Sequence, residues 1–344
     1  MRASPVTPTV DFEAVGEQHG FLKLPYSRDD SAWGAIMTPI SVIKGKRDGP
    51  TVLLTGGNHG DEYEGATALS KLACWLKSSV VHGTVIIVPF MNYPAFRAGR
   101  RTSPIDAGNL NRSFPGRPDG SVTEKVADYF QRHLIPRADY VLDMHSGGRT
   151  LDFLPFAAIH VLEDTGQQAR CEQAMRAFRA PYSMRLLELD NVGMFDSAVE
   201  AAGKVFVSTE LGGGGSSSAR SIAIADRGVR GFLTNAGVLE CKLSEREQPA
   251  ASATTTLLDM PEGNCYTTSE HHGLLEMCHD LGDTVKAGEL LARVHNIDRT
   301  GEKAVEYFTQ RAGLLAGRHF PGLVQSGDTI AVVADVVEEN IQVS

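Results

Sequence analysis

The segment Gly56-Gly57-Asn58-His59-Gly60-Asp61-Glu62 sets an imidazole and a carboxylate three residues apart, where an apolar run ends and a helical pattern begins. A His and a Glu so spaced can face one ion. Zinc accepts both ligand types, and its catalytic sites take three protein ligands and leave one position for water. Alone the pair says little, because a polar residue and a carboxylate in a first helical turn also suit the helix dipole. Asp143-Met144-His145-Ser146-Gly147-Gly148 offers a third ligand: His145 again follows an apolar run and precedes a glycine turn. A lone histidine there could be a hydrogen-bonded loop residue, but two in matching positions raise the case for a metal centre of His59, Glu62 and His145.

Lys204–Thr209 is another apolar run, and it leads into Glu210, Leu211 and the glycines 212–215. Glu210 could be a fourth ligand, or the base that a metal-activated water needs. The glycine run lacks the Gly-Lys-Ser/Thr ending of a phosphate-cradling loop, which excludes nucleotide binding there. The long polar loop from Arg100 to Gly116 has the profile of a binding loop. Its adjacent Asn111 and Arg112 can chelate a carboxylate, the arginine through its planar fork. A solvated surface loop is the competing account.

These groups need a scaffold to bring them together. Residues 33–43 and Pro50–Gly57 read as strands, the second buried on both faces, and Val85–Pro89, Tyr140–Met144 and Lys204–Thr209 follow. Helical spacing of Ala66, Leu69, Leu72, Ala73 and Leu76 predicts a helix over Glu62–Lys77. Ser121 and Glu124 form a capping box opening a helix to about Ile135. Arg170–Arg179 and Ile222–Leu239 are the remaining helices, the latter weakened by Gly228, Gly231 and Gly237. Alternating strands and helices predict an α/β fold with a mostly parallel, mixed central sheet flanked by helices. In such a sheet functional groups gather at the carboxyl ends of strands, where His59, His145 and Glu210 all fall.

The pattern changes after Leu243. Ser244–Thr256 reads as a linker, and the tail is β-like, with Gly-Asp-Thr at 282–284 and again at 327–329. The repeat predicts two similar hairpins in one small β-barrel. Residues 1–243 are thus expected to form the α/β domain, with an N-terminal β segment at 1–44, and residues 244–344 the linker and small β domain.

Composition narrows the function. The 344 residues are 42% hydrophobic and 22% charged, ordinary for a globular protein, and the net charge of −9 speaks against nucleic acid and a polybasic membrane contact. No apolar run reaches the ~18 residues of a membrane span, and the N-terminus lacks an apolar signal core. Cys74, Cys171, Cys241, Cys265 and Cys278 are odd in number and form no Cys-x-x-Cys, which fits free thiols in a reducing cytoplasm.

GGNHGDEYEG, NLNRSFPG, DMHSGG and TELGGG, in this order over roughly residues 45–240, resemble the succinylglutamate desuccinylase/aspartoacylase family, relatives of the zinc carboxypeptidases. The resemblance implies a zinc-carboxypeptidase-like fold and one zinc ion per chain on His59, Glu62 and His145. It implies Glu210 as general base and proton shuttle, Asn111 and Arg112 on the substrate's α-carboxylate, and Arg101 on the oxyanion, with Arg100 next to it as the alternative. The expected activity is hydrolysis of the N-acyl amide of a small amino acid. Within the family the motifs are similar to the members that deacetylate Nα-acetyl-L-2,4-diaminobutyrate in ectoine degradation. That substrate's side-chain ammonium wants an acidic patch, for which Asp190, Asp196 and Glu200 are candidates. N-succinylglutamate or N-acetylaspartate would need a further cation instead. A non-catalytic metal-cleft binding protein is the rival of another class, but it would have no use for Glu210. The tail resembles the lipoyl/biotinyl barrel without its carrier lysine, which implies a structural module at the pocket rim or a subunit contact. Whether the chain forms a homo-oligomer is left open.

Overall fold

The computed structural model describes residues 2–187, 190–239 and 255–337. In chain order its main elements are β1 (Gly16–Pro25), β2 (Ala35–Lys44), β3 (Arg47–Gly56), α1 (Glu64–Trp75), β4 (His82–Val88), α2 (Val122–Tyr129), β5 (Tyr140–His145), β6 (Phe156–Ile159), α3 (Thr165–Phe178), β7 (Tyr182–Arg185), α4 (Phe195–Ala201), β8 (Val205–Glu210) and α5 (Ala219–Asn235). The tail adds β9 (Thr256–Asp259), β10 (Gly273–Met277), β11 (Leu290–His295), β12 (Gly313–His319) and β13 (Thr329–Val337). The large sheet runs β1-β2-β4-β3-β5-β8-β6-β7-β9-β13-β12. Its centre, β4-β3-β5-β8, is parallel throughout. The expected mixed α/β sheet is present.

The central strands read as unbroken apolar runs because both their faces are covered. Successive residues alternate between two cores, as strand geometry requires. Val52, Leu54, Val85, Ile87, Leu142, Val205 and Val207 join the core under α1, α3 and α5. Leu53, Ile86, Val88, Val141 and Phe206 point the other way, into the core under α2 and α4. This two-sided burial fixes the register: Gly56 lies opposite Met144, and His145 opposite Glu210.

Several element boundaries differ from the sequence reading for identifiable reasons. The third helix starts at Thr165 because the Asp164 side chain caps it, accepting a hydrogen bond from Gln167 N at 2.8 Å. The Ser121/Glu124 capping box is present, but its helix is regular only to Tyr129 and continues as a wider turn over Phe130–Leu134. β6 and β7, only four residues each, escaped detection. The expected Ser244–Thr256 linker, and with it the boundary at 243/244, lies almost wholly outside the described residues.

In the tail, both Gly-Asp-Thr repeats form the same turn. Asp280 N donates to the Asp283 carboxylate at 2.9 Å while Asp283 N donates to Asp280 O at 3.1 Å. Gln325 and Asp328 repeat the pair at 2.8 and 3.1 Å. The tail strands fall into two sheets. β10 and β11 lie in a separate antiparallel sheet of four strands, and β13 and β12 extend the large sheet through β9. β12 also pairs with residues 151–153, just beyond the His145 turn.

The helix glycines that weakened α5 as a reading have a packing role. A Cβ on Gly231 would stand 2.0 Å from the Ala177 carbonyl oxygen, and one on Gly228 2.2 Å from the Phe178 ring. α3 and α5 therefore touch backbone to backbone. Gly231→Ala should lower stability in urea by about 1–2 kcal/mol: a clash with backbone falls in the upper part of the overpacking range, ~2–3 kcal/mol, and outweighs the ~1 kcal/mol by which alanine favours a helix. An unchanged or higher denaturation midpoint would refute this packing account.

Candidate metal centre and active site

Three parallel strands deliver the site. β3 ends at Gly56, and Gly57, with a φ of 62°, turns the chain so that His59 and Glu62 fall between strand and helix. β5 ends at His145, and β8 beside it at Glu210. His59, Glu62 and His145 each present a ligand atom within 4.8 Å of the others, the group of three the sequence suggested.

Glu62 is the centre of this group and only 3% exposed. One carboxylate oxygen lies 2.8 Å from His59 Nδ1 and the other 2.9 Å from His145 Nδ1. The latter oxygen also accepts from Ser146 N at 3.2 Å. Burial alone would raise the Glu62 pKa, but the two imidazoles hold it well below the usual carboxylate range. Behind His145, Nε2 sits 2.7 Å from Asp143 Oδ2. Asp143 is fixed in turn by Thr55 Oγ1 (2.6 Å) and Asn58 Nδ2 (3.0 Å), which both donate to it. Burial disfavours the charged form of His145, yet Asp143 and Glu62 on either side push its pKa well above the ordinary value. Burial lowers that of His59.

This donor set fits a divalent cation. His59 Nε2 and one oxygen of Glu210 are buried with no hydrogen-bond partner, an expensive arrangement in a protein interior. Burial, and next the Glu62 charge, push the Glu210 pKa up to about 8. The crowd of buried carboxylates thus calls for positive charge nearby. Asp143 supplies the outer carboxylate that typically orients a ligating histidine. Its position in DMHSGG was the one signal available, and the sequence reading gave it no role.

The same cavity, about 190 Å³, is also lined by Arg101, Asn111, Arg112 and Asp196. That volume is below the ~300–1,000 Å³ of sites for drug-sized ligands, so the space suits a small molecule. Arg101, not its neighbour Arg100, reaches the cavity, with Nη1 3.3 Å from His59 Nδ1 and 3.6 Å from Glu62. Arg100 is exposed and contributes its carbonyl, which accepts from Gly60 N at 3.0 Å. Asn111 and Arg112 share one helical turn, Leu110–Arg112. Asn111 Oδ1 accepts from Phe195 N at 3.0 Å, tying this loop to the start of α4. Of the three acidic candidates, Asp196 lies in the cavity, Glu200 adjoins it through His160, and Asp190 is exposed.

Comparison with known proteins identifies the class as an amide-cleaving hydrolase, a deacylase. The family described as the succinylglutamate desuccinylase/aspartoacylase catalytic domain matches residues 48–236. The chain belongs to this family. It is 58% identical over 337 residues to the N-alpha-acetyl-L-2,4-diaminobutyric acid deacetylase of Halomonas elongata, covering 98% of this chain and 97% of that one. The product-bound structure of the ectoine utilization protein EutE (DoeB) from Ruegeria pomeroyi is 59% identical, with a TM-score of 0.94 over 98% of this chain and 100% of that one. A succinylglutamate desuccinylase/aspartoacylase structure from Rhodobacter sphaeroides is 36% identical, with a TM-score of 0.92 and the same coverage.

Asp143→Asn keeps the shape but removes the charge behind His145. Zinc affinity should fall by ~10–100-fold, the usual effect of losing such a partner. Competition against a chromogenic chelator measures it, and an unchanged affinity would show that Asp143 does not support the ligand.

Proposed function

We propose that this protein hydrolyses Nα-acetyl-L-2,4-diaminobutyrate to acetate and diaminobutyrate, a step of ectoine degradation, using one zinc ion per chain held by His59, Glu62 and His145. One observation carries the reading: a buried His-Glu-His group faces a carboxylate with a raised pKa, in a small cavity that also holds an arginine-bearing turn. When bound, zinc acts as a Lewis acid that acidifies a water and polarises the acyl carbonyl.

The protein's own groups do the rest. Glu210 takes a proton from the attacking water, and the water oxygen bonds to the acetyl carbon. Arg101 stands where it can stabilise the negative charge that develops on the carbonyl oxygen. As the C–N bond breaks, Glu210 gives its proton to the departing amine. Asn111 and Arg112 hold the α-carboxylate, which sets the amide against Glu210. A raised pKa suits this shuttle, since a group that both takes and returns a proton works best with a pKa near the operating pH.

N-succinylglutamate or N-acetylaspartate would bring another carboxylate, and the cavity places Asp196 rather than a further arginine beside Arg101 and Arg112. That favours the cationic substrate. The setting we propose is the cytoplasm: Cys74, Cys171, Cys265 and Cys278 are unpaired, and no described helix is long and apolar enough to cross a membrane.

Zinc-loaded protein should release acetate from Nα-acetyl-diaminobutyrate at least tenfold faster than from its Nγ-acetyl isomer or N-acetylaspartate, and N-succinylglutamate should be as poor. Glu210→Gln should keep its zinc and lose ~10²–10⁴-fold in kcat, the range for general acid–base catalysis. Equal rates across the panel would defeat the substrate assignment. A Gln variant within threefold of wild type would defeat the role of Glu210.

A further inference from the structure

Asp196 occupies an unusual position for an aspartate. It lies in the first turn of α4, where a carboxylate normally stays in solvent, yet it is only 8% exposed and lines the cavity of the metal centre. Its Oδ1 is used locally, accepting from Ser197 N at 2.5 Å and Ser197 Oγ at 3.2 Å. No described residue supplies a hydrogen bond or ion pair to Oδ2. Asp196 lines the cavity, so a ligand there can meet the oxygen that no described protein group holds.

The surroundings make that ligand a cation. Glu200 follows four residues later on the same face of α4, adding a second carboxylate. His160 Nδ1 holds Glu200, 3.0 and 3.1 Å from its two oxygens, and His160 itself lines the cavity. Of the two α4 carboxylates, Asp196 is thereby the one with an oxygen left over. The α4 segment is also anchored to the substrate turn, through Phe195 N to Asn111 Oδ1. The distance from Asp196 to the Asn111–Arg112 turn is therefore fixed by a backbone contact one residue away.

From this geometry, and resting on the substrate reading above, we infer that Asp196 is the specificity-determining residue that binds the substrate's side-chain ammonium. The cavity is then bipolar. Arg112 takes the carboxylate of the amino acid and Asp196 its terminal ammonium, so a diamino acid is held by both ends. An amino acid with a neutral or anionic side chain would leave Asp196 unpaired or repelled.

The test compares Nα-acetyl-2,4-diaminobutyrate with Nα-acetyl-2-aminobutyrate, the same molecule without the ammonium. In wild type the cationic substrate should have at least a tenfold higher kcat/KM. Asp196→Asn, which can still accept from Ser197, should lower kcat/KM at least tenfold on the cationic substrate, mainly through KM. On the neutral substrate it should change by no more than about threefold. Asp196→Ala serves as the second variant and should show the same split. Equal losses on both substrates would make Asp196 a structural residue and overturn the inference, as would a variant that keeps the preference. Wild-type protein inert towards both acetyl compounds would instead defeat the substrate reading, and this inference with it.

Discussion

The structure depends on one buried carboxylate. Glu62 lies between the imidazoles of His59 and His145, and Asp143 stands behind the second of these. Placing this many ionisable groups in a dry interior is costly unless their charges are matched. Among the described residues the arginine in contact with Glu62 is Arg101, and its side chain is half in solvent, which weakens its share of the match. A divalent ion would complete it, and would offset the Glu62 charge that helps to raise Glu210.

Holding such a cluster requires rigid neighbours, and the sheet supplies them. The parallel strands β3, β5 and β8 are packed on both faces, so none can slide without turning its apolar side chains out of a core. Ligands at their ends inherit that register, with His145 and Glu210 directly paired. The tail joins the same framework. β12 pairs with residues 151–153, of which Leu151 and Phe153 line the cavity, so the tail supports that part of the cavity wall.

Much of this was legible in the sequence, for physical reasons. Strands buried on both faces leave unbroken apolar runs, and a functional strand end leaves a polar residue beside glycine, as at His59 and His145. The helix caps at Ser121 and the repeated Gly-Asp-Thr turns are local hydrogen-bond devices and read directly. What failed to read depends on partners distant in the chain. Asp143 gains its role from Thr55 and Asn58, more than eighty residues away. Gly231 looked like a helix breaker because its reason is the Ala177 carbonyl of another helix. Asp196 was a candidate from the sequence, but only the fold sets it apart from Asp190 and Glu200, by putting it in the cavity wall beside the turn that carries Asn111.

Titrating metal-free protein with zinc tests the central claim most directly. Calorimetry should find one ion per chain, and the thermal midpoint should rise with zinc, since a thousandfold excess over Kd stabilises by about 4 kcal/mol. Glu62→Gln, with the central charge removed, should show neither saturable binding nor the rise. Wild-type protein that takes up no zinc, or a Glu62→Gln variant that binds it equally well, would contradict the account.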